Sequence, residues 1–196
     1  MRVLRHLVLW RLGFTSAETQ TTEAERDCLA RHAAGRRRLV EIGVWHGVTT
    51  SRLRAAMAPD GVLFAIDPFP RGRLGFSAQR YIAQREVGRV RGGAVRWLRS
   101  TGVETGRTFA QVREQSVDFV FIDGDHTYDG LRSDWEAWRP LIAPNGVVAL
   151  HDSRSTPERQ IDDAGSVKFT HDVIFRDRQF VTAETVDSLT VLRRLP

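Results

Sequence analysis

The chain has 196 residues, 41% apolar and 27% charged, which is material for one packed domain and argues against disorder. The single cysteine, Cys28, excludes an internal disulfide framework and a cysteine-based zinc or iron–sulfur centre, and it points to a reducing, cytoplasmic setting. The net charge of +5 is carried almost wholly by arginine, 28 residues against the one Lys168. Codon usage in a GC-rich genome is one reading of that bias and a basic surface for nucleic acid or an anionic substrate is the other, but the charges are scattered where a nucleic-acid binder would cluster them. No apolar run reaches the ~18 residues a bilayer span needs, so neither nucleic acid nor a membrane span is expected.

Residues 1–13 mix basic and apolar groups, and Leu4, Leu7, Val8 and Trp10 fit one face of a short helix. Arg5, His6 and Arg11 interrupt it too often for a signal peptide. That apolar face is expected to pack on the domain or on a second copy, which would give a homodimer. Thr22 and Glu25 form a T-x-x-E capping box, opening a helix that should end near Gly35. Strand and helix signals then alternate: strand over 39–42, helix over 49–57, strand over 62–67, helix over 77–86, strand over 95–98, helix over 106–115, strand over 117–123. A helix over 128–138 is stopped by Pro140, and a strand over 147–150 follows the turn Pro144-Asn145-Gly146. The tail reads as a helix near 167–175 and strands near 179–184 and 188–194.

This alternation predicts an α/β fold: a seven-stranded, mostly parallel sheet with an antiparallel last strand and helices on both faces. Two N-terminal helices over 1–35 would precede a core over 36–196, all one domain. Stretches 68–76 and 153–166 have no periodicity and follow strand ends. Open α/β sheets bind ligands there, so these are the candidate acceptor loops.

Four features carry chemistry. In Val40–Thr50, VEIGVWHGVTT, Glu41 ends the first strand, and Gly43 and Gly47 bracket a tight turn into a helix. Glycine permits positive φ and close approach of a ligand, while the helix start offers free N–H groups. Thr49 and Thr50 add hydroxyls suited to a carboxylate. The spacing is not the G-x-G-x-x-G of dinucleotide folds. Asp67 ends the second strand, where an acid can accept both hydroxyls of a ribose. In DFVFIDGDHTYDG, Asp118–Gly130, the residues Asp123, Asp125 and His126 converge at the end of a buried strand. Such a cluster needs a compensating cation or ligand, and oxygen donors favour Mg²⁺ or Mn²⁺. A calcium loop is excluded because Tyr128 stands where that loop needs glycine. His151-Asp152 ends the next strand and should lie beside Asp123. His46, inside the first turn, reads either as a packing histidine or as a ligand contact.

Taken together, EIGVWHGVTT, AIDPF and FIDGDHTYDGLRSDWEAWRPLIAPNGVVALHD resemble class I S-adenosylmethionine-dependent methyltransferases. The nearer resemblance is to the metal-dependent O-methyltransferases, among them the catechol and caffeoyl-CoA enzymes and small bacterial enzymes that methylate sugar hydroxyls, including those of actinobacterial mannose polysaccharides. The resemblance implies a Rossmann-like fold. It implies that Glu41, Gly43, Gly47, Thr49 and Thr50 line the methionine end of the cofactor, that Asp67 holds its ribose, and that Ser100 lies by the adenine. Asp123 would serve the cofactor pocket and a metal, with His151 and Asp152 completing the metal set. His126 falls where the catechol enzymes carry a lysine base, and Asp125 and His151 are the other candidate bases.

The expected reaction is direct displacement: a hydroxyl oxygen attacks the sulfonium methyl group, and Mg²⁺ or Mn²⁺ orients the acceptor while His126 or Asp125 removes its proton. The expected acceptor is a sugar or oligosaccharide, with a catechol as the alternative. Three rivals stand against this reading. A nucleic-acid methylase would need a Pro-Pro-aromatic turn where IDGDH stands, and a nicotinamide oxidoreductase would need the dinucleotide glycines. A cofactor-binding regulatory module would have no use for the convergent carboxylates.

Overall fold

Apolar residues that run on without a polar alternation mark strands covered on both faces, and five such runs build the centre of the sheet. A computed structural model describes residues 2–72, 75–112 and 116–196. Arg73 and Leu74 of the expected acceptor loop, and residues 113–115 at the end of the expected fifth helix, lie outside the described residues. The elements are α1 (Arg2–Arg11), α2 (Glu23–Ala33), β1 (Arg38–Ile42), α3 (Val48–Ala56), β2 (Val62–Ile66), α4 (Ala78–Gly88), β3 (Ala94–Leu98), α5 (Gly102–Gln111), β4 (Val117–Ile122), α6 (Tyr128–Trp138), β5 (Ile142–Leu150), α7 (Gly165–Asp172), β6 (Phe180–Val186) and β7 (Leu189–Arg194).

The strands order as β3-β2-β1-β4-β5-β7-β6. β1 to β5 are parallel, and β7 inserts antiparallel between β5 and β6. This is the expected fold, a Rossmann-like sheet with its last strand reversed. Period-two alternation divides the side chains between two cores. Leu39, Leu63, Phe119, Phe121, Val147, Ala149 and Val191 face α2 and α3, meeting Cys28, Leu29 and Leu53. Val40, Ile42, Ile66, Val120, Ile122 and Leu150 face α5, α6 and α7, meeting Phe109, Trp135, Trp138 and Phe169.

The capping box at Thr22 forms as read, with Thr22 Oγ1 accepting from the Glu25 amide at 3.1 Å and Glu25 Oε2 accepting from the Thr22 amide at 2.8 Å. A second box, Thr101 with Glu104, starts α5 at Gly102 rather than at residue 106. It shows in the sequence as another T-x-x-E, but without the apolar periodicity that would have flagged it. The Pro144-Asn145-Gly146 turn is absorbed into β5 as an irregularity in its pairing with β4, and Asn145 takes a positive φ of 62°. Helix α1 docks through Trp10, whose Nε1 donates to Glu86 Oε1 of α4 at 2.7 Å, while Leu4 and Val8 remain exposed. No described helix is long and apolar enough to cross a membrane.

The α6 helix positions the functional turn before it, and Trp138 anchors its far end. Trp138 is fully buried, and its Nε1 donates to the Gly102 carbonyl at 2.9 Å, tying α6 to the start of α5. Trp138→Ala is expected to destabilise the fold by about 3–5 kcal/mol, read as a lower urea midpoint at unchanged slope.

Candidate functional site

The strand ends meet at glycine. Gly43 follows β1 with φ +87°, and a Cβ there would stand 2.0 Å from the Asp123 carbonyl oxygen. No side chain fits, so the first turn and the turn after β4 touch backbone to backbone. Gly47, at φ +76°, lies before α3 and packs on Ala83 of α4. Asp67 clamps the turn from the neighbouring strand. Its Oδ2 accepts from the Val44 and Trp45 amides at 3.1 and 3.2 Å, and its Oδ1 accepts from the Phe69 amide at 2.6 Å. Three amides leave a carboxylate with lone pairs to spare for a ligand. Trp45 sits at a positive φ of 51° and leaves its indole 45% exposed.

Above these strand ends lies a cavity of about 760 Å³, within the ~300–1,000 Å³ of small-molecule clefts. Of the residues expected at the site, Gly43, Thr49, Asp67, Ser100, Asp123, Asp125 and His126 line it. Glu41, Gly47, Thr50, His151 and Asp152 do not; they lie around or beneath it. Glu41 shares a face with Leu39, is fully buried, and neither of its carboxyl oxygens nor the Thr50 hydroxyl has a hydrogen-bond partner among the described residues. Burial outweighs the nearby Thr50 hydroxyl, the charges of Asp123 and Asp67 add to it, and the Glu41 carboxyl is held well above the usual range.

Asp125 accepts from the Thr127 amide at 2.9 Å in the loop that starts α6, and it packs so tightly on Gly130 that a Cβ there would stand 2.4 Å from its Cγ. His126 is the freer of the two. Its side chain is 35% exposed, with Nε2 3.6 Å from Asp123 Oδ1 and Nδ1 3.9 Å from Asp152 Oδ2. His46 is buried, stacks on His6 with ring centroids 5.0 Å apart, and accepts from the Glu18 amide at 3.1 Å. It fastens the segment before α2 to the turn, as a packing histidine.

Beneath the cavity, His151 is enclosed between carboxylates. Nδ1 lies 2.8 Å from Asp123 Oδ1, and Nε2 lies 3.4 Å from Glu25 Oε2. Burial alone would depress the imidazole, but Asp123 and Glu25 outweigh it and raise it to about 10. Burial would likewise raise Glu25, but His151, the Thr22 amide and Ser188 together bring it down to about 2. Asp152, at φ 48°, is paired through both oxygens with Arg159 (2.6 Å to Nη2) and accepts from Ser188 Oγ at 3.1 Å.

That arrangement bears on the expected Mg²⁺ or Mn²⁺ at Asp123, His151 and Asp152. His151 offers nitrogen where hard cations prefer oxygen, and Asp152 is already paired with a guanidinium. Asp123, His126 and His151 do bring one possible ligand atom each within 4.8 Å of one another. Asp123 is the only carboxylate among them, a poor set for hard cations that demand oxygen. The donors as arranged do not fit the metal. Two residues that matter here have quieter signals in the sequence. Glu25 reads only as a helix cap, although its capping oxygen Oε2 also faces His151 and its other oxygen, Oε1, accepts from Ser188. Asp134, buried in α6 and lining the cavity, carries no motif of its own.

The chain is similar to known proteins in family and in fold. A family described as "Methyltransferase domain" matches residues 40–153. An uncharacterized protein, y4gI, of Sinorhizobium fredii is 30% identical over 129 residues, 62% of this chain; the match spans only 14% of that longer protein. Among solved structures, the O-methyltransferase TomG of Streptomyces achromogenes, involved in tomaymycin synthesis and bound to S-adenosylmethionine, superposes with TM-score 0.69 at 17% identity, covering 100% of this chain and 91% of TomG. The N-methyltransferase NodS of Bradyrhizobium japonicum, bound to S-adenosylhomocysteine, gives TM-score 0.60 at 15% identity, covering 98% and 96%. At those identities the likeness is one of fold.

The buried Glu25–His151 pair makes stability depend on pH. His151, raised to about 10, contributes fully below its ordinary 6.5 and loses that contribution as pH rises through 10. Glu25, lowered to about 2, contributes fully above 4.5 and loses it as pH falls through 2. Both contributions are whole between about 4.5 and 6.5. Glu25→Gln is expected to cost about 3 kcal/mol at pH 6 and to shrink both losses, measured by urea unfolding at pH 3, 6 and 9. An identical pH profile in wild type and variant would rule the pair out as the source.

Proposed function

Because the chain belongs to the methyltransferase-domain family, we propose that it transfers the methyl group of S-adenosylmethionine to a hydroxyl of a small-molecule acceptor. The observation that carries this is His126, an accessible imidazole beside Asp123 in the same cavity whose floor is the Asp67-clamped glycine turn. The cavity supports cofactor binding by its chemistry. Gly43 lets a ligand reach the backbone, Thr49 and the start of α3 offer donors for a carboxylate, and Asp67 keeps acceptor capacity for two ribose hydroxyls.

When bound, S-adenosylmethionine supplies an electrophilic methyl group on a positively charged sulfur. The protein positions the acceptor and takes its proton. His126 accepts the hydroxyl proton as the oxygen attacks, and Asp123 at 3.6 Å orients the ring and stabilises the imidazolium that forms. His151, charged between Asp123 and Glu25, holds Asp123 in place from below. The Asx turn leaves Asp125 a structural part, and the enclosure of His151 leaves it a positioning one. In this reading no step runs through a metal.

The acceptor rim favours a sugar or oligosaccharide over a catechol. Glu18, Gln20, Asp125, Thr127 and Asp129 present polar groups to the cavity, where a planar catechol would call for an apolar slot. Trp45 adds one exposed aromatic face against which a sugar ring can pack.

Labelled methyl transfer to a panel of sugars, oligosaccharides and catechols, with Mg²⁺ or with EDTA, tests the reading. Transfer to a sugar that survives EDTA is expected; loss in EDTA restored by Mg²⁺ would return the metal to Asp123. His126→Ala is expected to lower turnover about 10²–10⁴-fold while leaving S-adenosylhomocysteine affinity unchanged. Binding of the cofactor with no transfer to any acceptor would favour a regulatory module. Asp67→Ala is expected to weaken S-adenosylhomocysteine binding roughly 10–100-fold, the worth of charge-assisted hydrogen bonds, by calorimetry; unchanged affinity would remove Asp67 from the cofactor site.

A further inference from the structure

The basic, apolar segment at the start of the chain has no part in the proposed chemistry. Helix α1 is held to the domain through Trp10 and His6. Trp10 is buried, donates to Glu86 of α4, meets Tyr81 edge-on with ring centroids 6.2 Å apart and lies under the Arg89 guanidinium. His6 Nδ1 stands 3.3 Å from Glu18 Oε1, and its ring stacks on His46. These contacts fix the rotation of the helix. Leu4, Val8 and Leu12, spaced four apart, form a stripe on its outer side. The Leu12 amide still bonds the Val8 carbonyl at 3.0 Å, so the stripe runs past the end of α1 to Phe14. These four side chains are 46–75% exposed. Phe76, also exposed, borders the stripe across a shallow groove of about 410 Å³ that Leu7, Val8, Leu12 and Tyr81 line.

The charge around this stripe has one sign. Arg5 and Arg11 are exposed and fall on its opposite flanks. Neither has an ion-pair partner among the described residues. Arg85 adds a third cation at the groove, 5.5 Å above the Tyr81 ring. The first acid in the chain is Glu18, and its carboxylate is turned to His6 and His46. Glu86 is taken by Trp10 and Arg89.

A second copy and a lipid surface both suit an exposed apolar stripe, and charge decides between them. A copy seated through the same face would set these arginines against their own equivalents, with no free acid to answer them. Phosphate headgroups answer guanidinium groups directly, while acyl chains take the leucines and Phe14.

We propose that α1, with Phe14 and Phe76, docks the protein on the surface of a bilayer rich in anionic phospholipid. The helix lies in the headgroup layer with its apolar stripe turned to the acyl chains. The attachment is peripheral, since the 10 residues of α1 are too few to span a bilayer. It stands apart from the methyl-transfer reading and does not depend on it.

Flotation of the full chain with vesicles of phosphatidylcholine, or of phosphatidylcholine mixed with phosphatidylglycerol, tests the proposal. Binding to the mixed vesicles alone, weakened by salt, is expected. Arg5→Gln with Arg11→Gln is expected to lower that affinity about 10–30-fold, at about fivefold for each cation. Leu12→Asp with Phe14→Asp is expected to abolish binding at an unchanged urea midpoint, because both side chains are exposed. Arg107 in α5 and Arg176 after α7 stand on the other face of the sheet from α4. Arg107→Gln with Arg176→Gln therefore removes the same charge away from the stripe and is expected to leave binding unchanged. No binding to either vesicle overturns the proposal. Equal binding to both, or an equal loss in the Arg107 and Arg176 variant, overturns it as well. A dimer seen by sedimentation velocity that Leu12→Asp with Phe14→Asp dissociates would give the face to a second copy instead.

Discussion

Gly43 lies so close to the Asp123 carbonyl that an added Cβ would stand 2.0 Å from its oxygen. It joins the ends of β1 and β4, the two strands at the centre of the sheet. Because no side chain separates them, the turn that can cradle a ligand and the turn that carries Asp123, Asp125 and His126 form one floor. Asp67 extends that floor to β2 by holding the Val44 and Trp45 amides. The position of His126 relative to any ligand in the cavity follows from this contact, since only two residues separate it from Asp123.

Three carboxylates stand beneath that floor, and the fold answers them with its own cations. His151 lies between Glu25 and Asp123, and Arg159 closes on Asp152. Unpaired buried charge is costly, so each acid needs a partner. A divalent ion is one way to meet that need; an imidazolium and a guanidinium are another. The wealth of arginine has a similar use elsewhere. Arg36 donates to the His32 and Asp118 carbonyls, and Arg54 to the Gly93 and Val87 carbonyls. Guanidinium groups here satisfy backbone oxygens at element ends, which fits their scattered placement better than a nucleic-acid surface would.

Much of this was legible in the chain order of residues. Alternation of strand and helix periods predicted the seven strands and the reversed last one, because burial of both sheet faces imposes continuous apolar runs on the centre. Capping at Thr22, the glycine turn and the Asp123–His126 cluster were legible for the same kind of reason: each is a local requirement met by residues close in sequence. The start of α5 was missed because its box at Thr101 and Glu104 lies ahead of the apolar periodicity. The Pro144-Asn145-Gly146 turn was read as a break, whereas pairing with β4 carries the strand through it.

The sequence by itself determined the fold class, the turn at Gly43–Gly47 and the grouping of Asp123, Asp125 and His126, since these depend on spacing along the backbone. Tertiary structure alone decided which of those residues face the cavity. Glu25 reaches His151 across 126 positions of sequence, and Asp134 reaches the wall of the cavity past Gly102 and Gly124. Arg159 closes on Asp152. None of these pairings has a local signature. Each comes from helices and loops being packed onto strand ends, where burial forces every charge to find a partner and the nearest one is set by the sheet order.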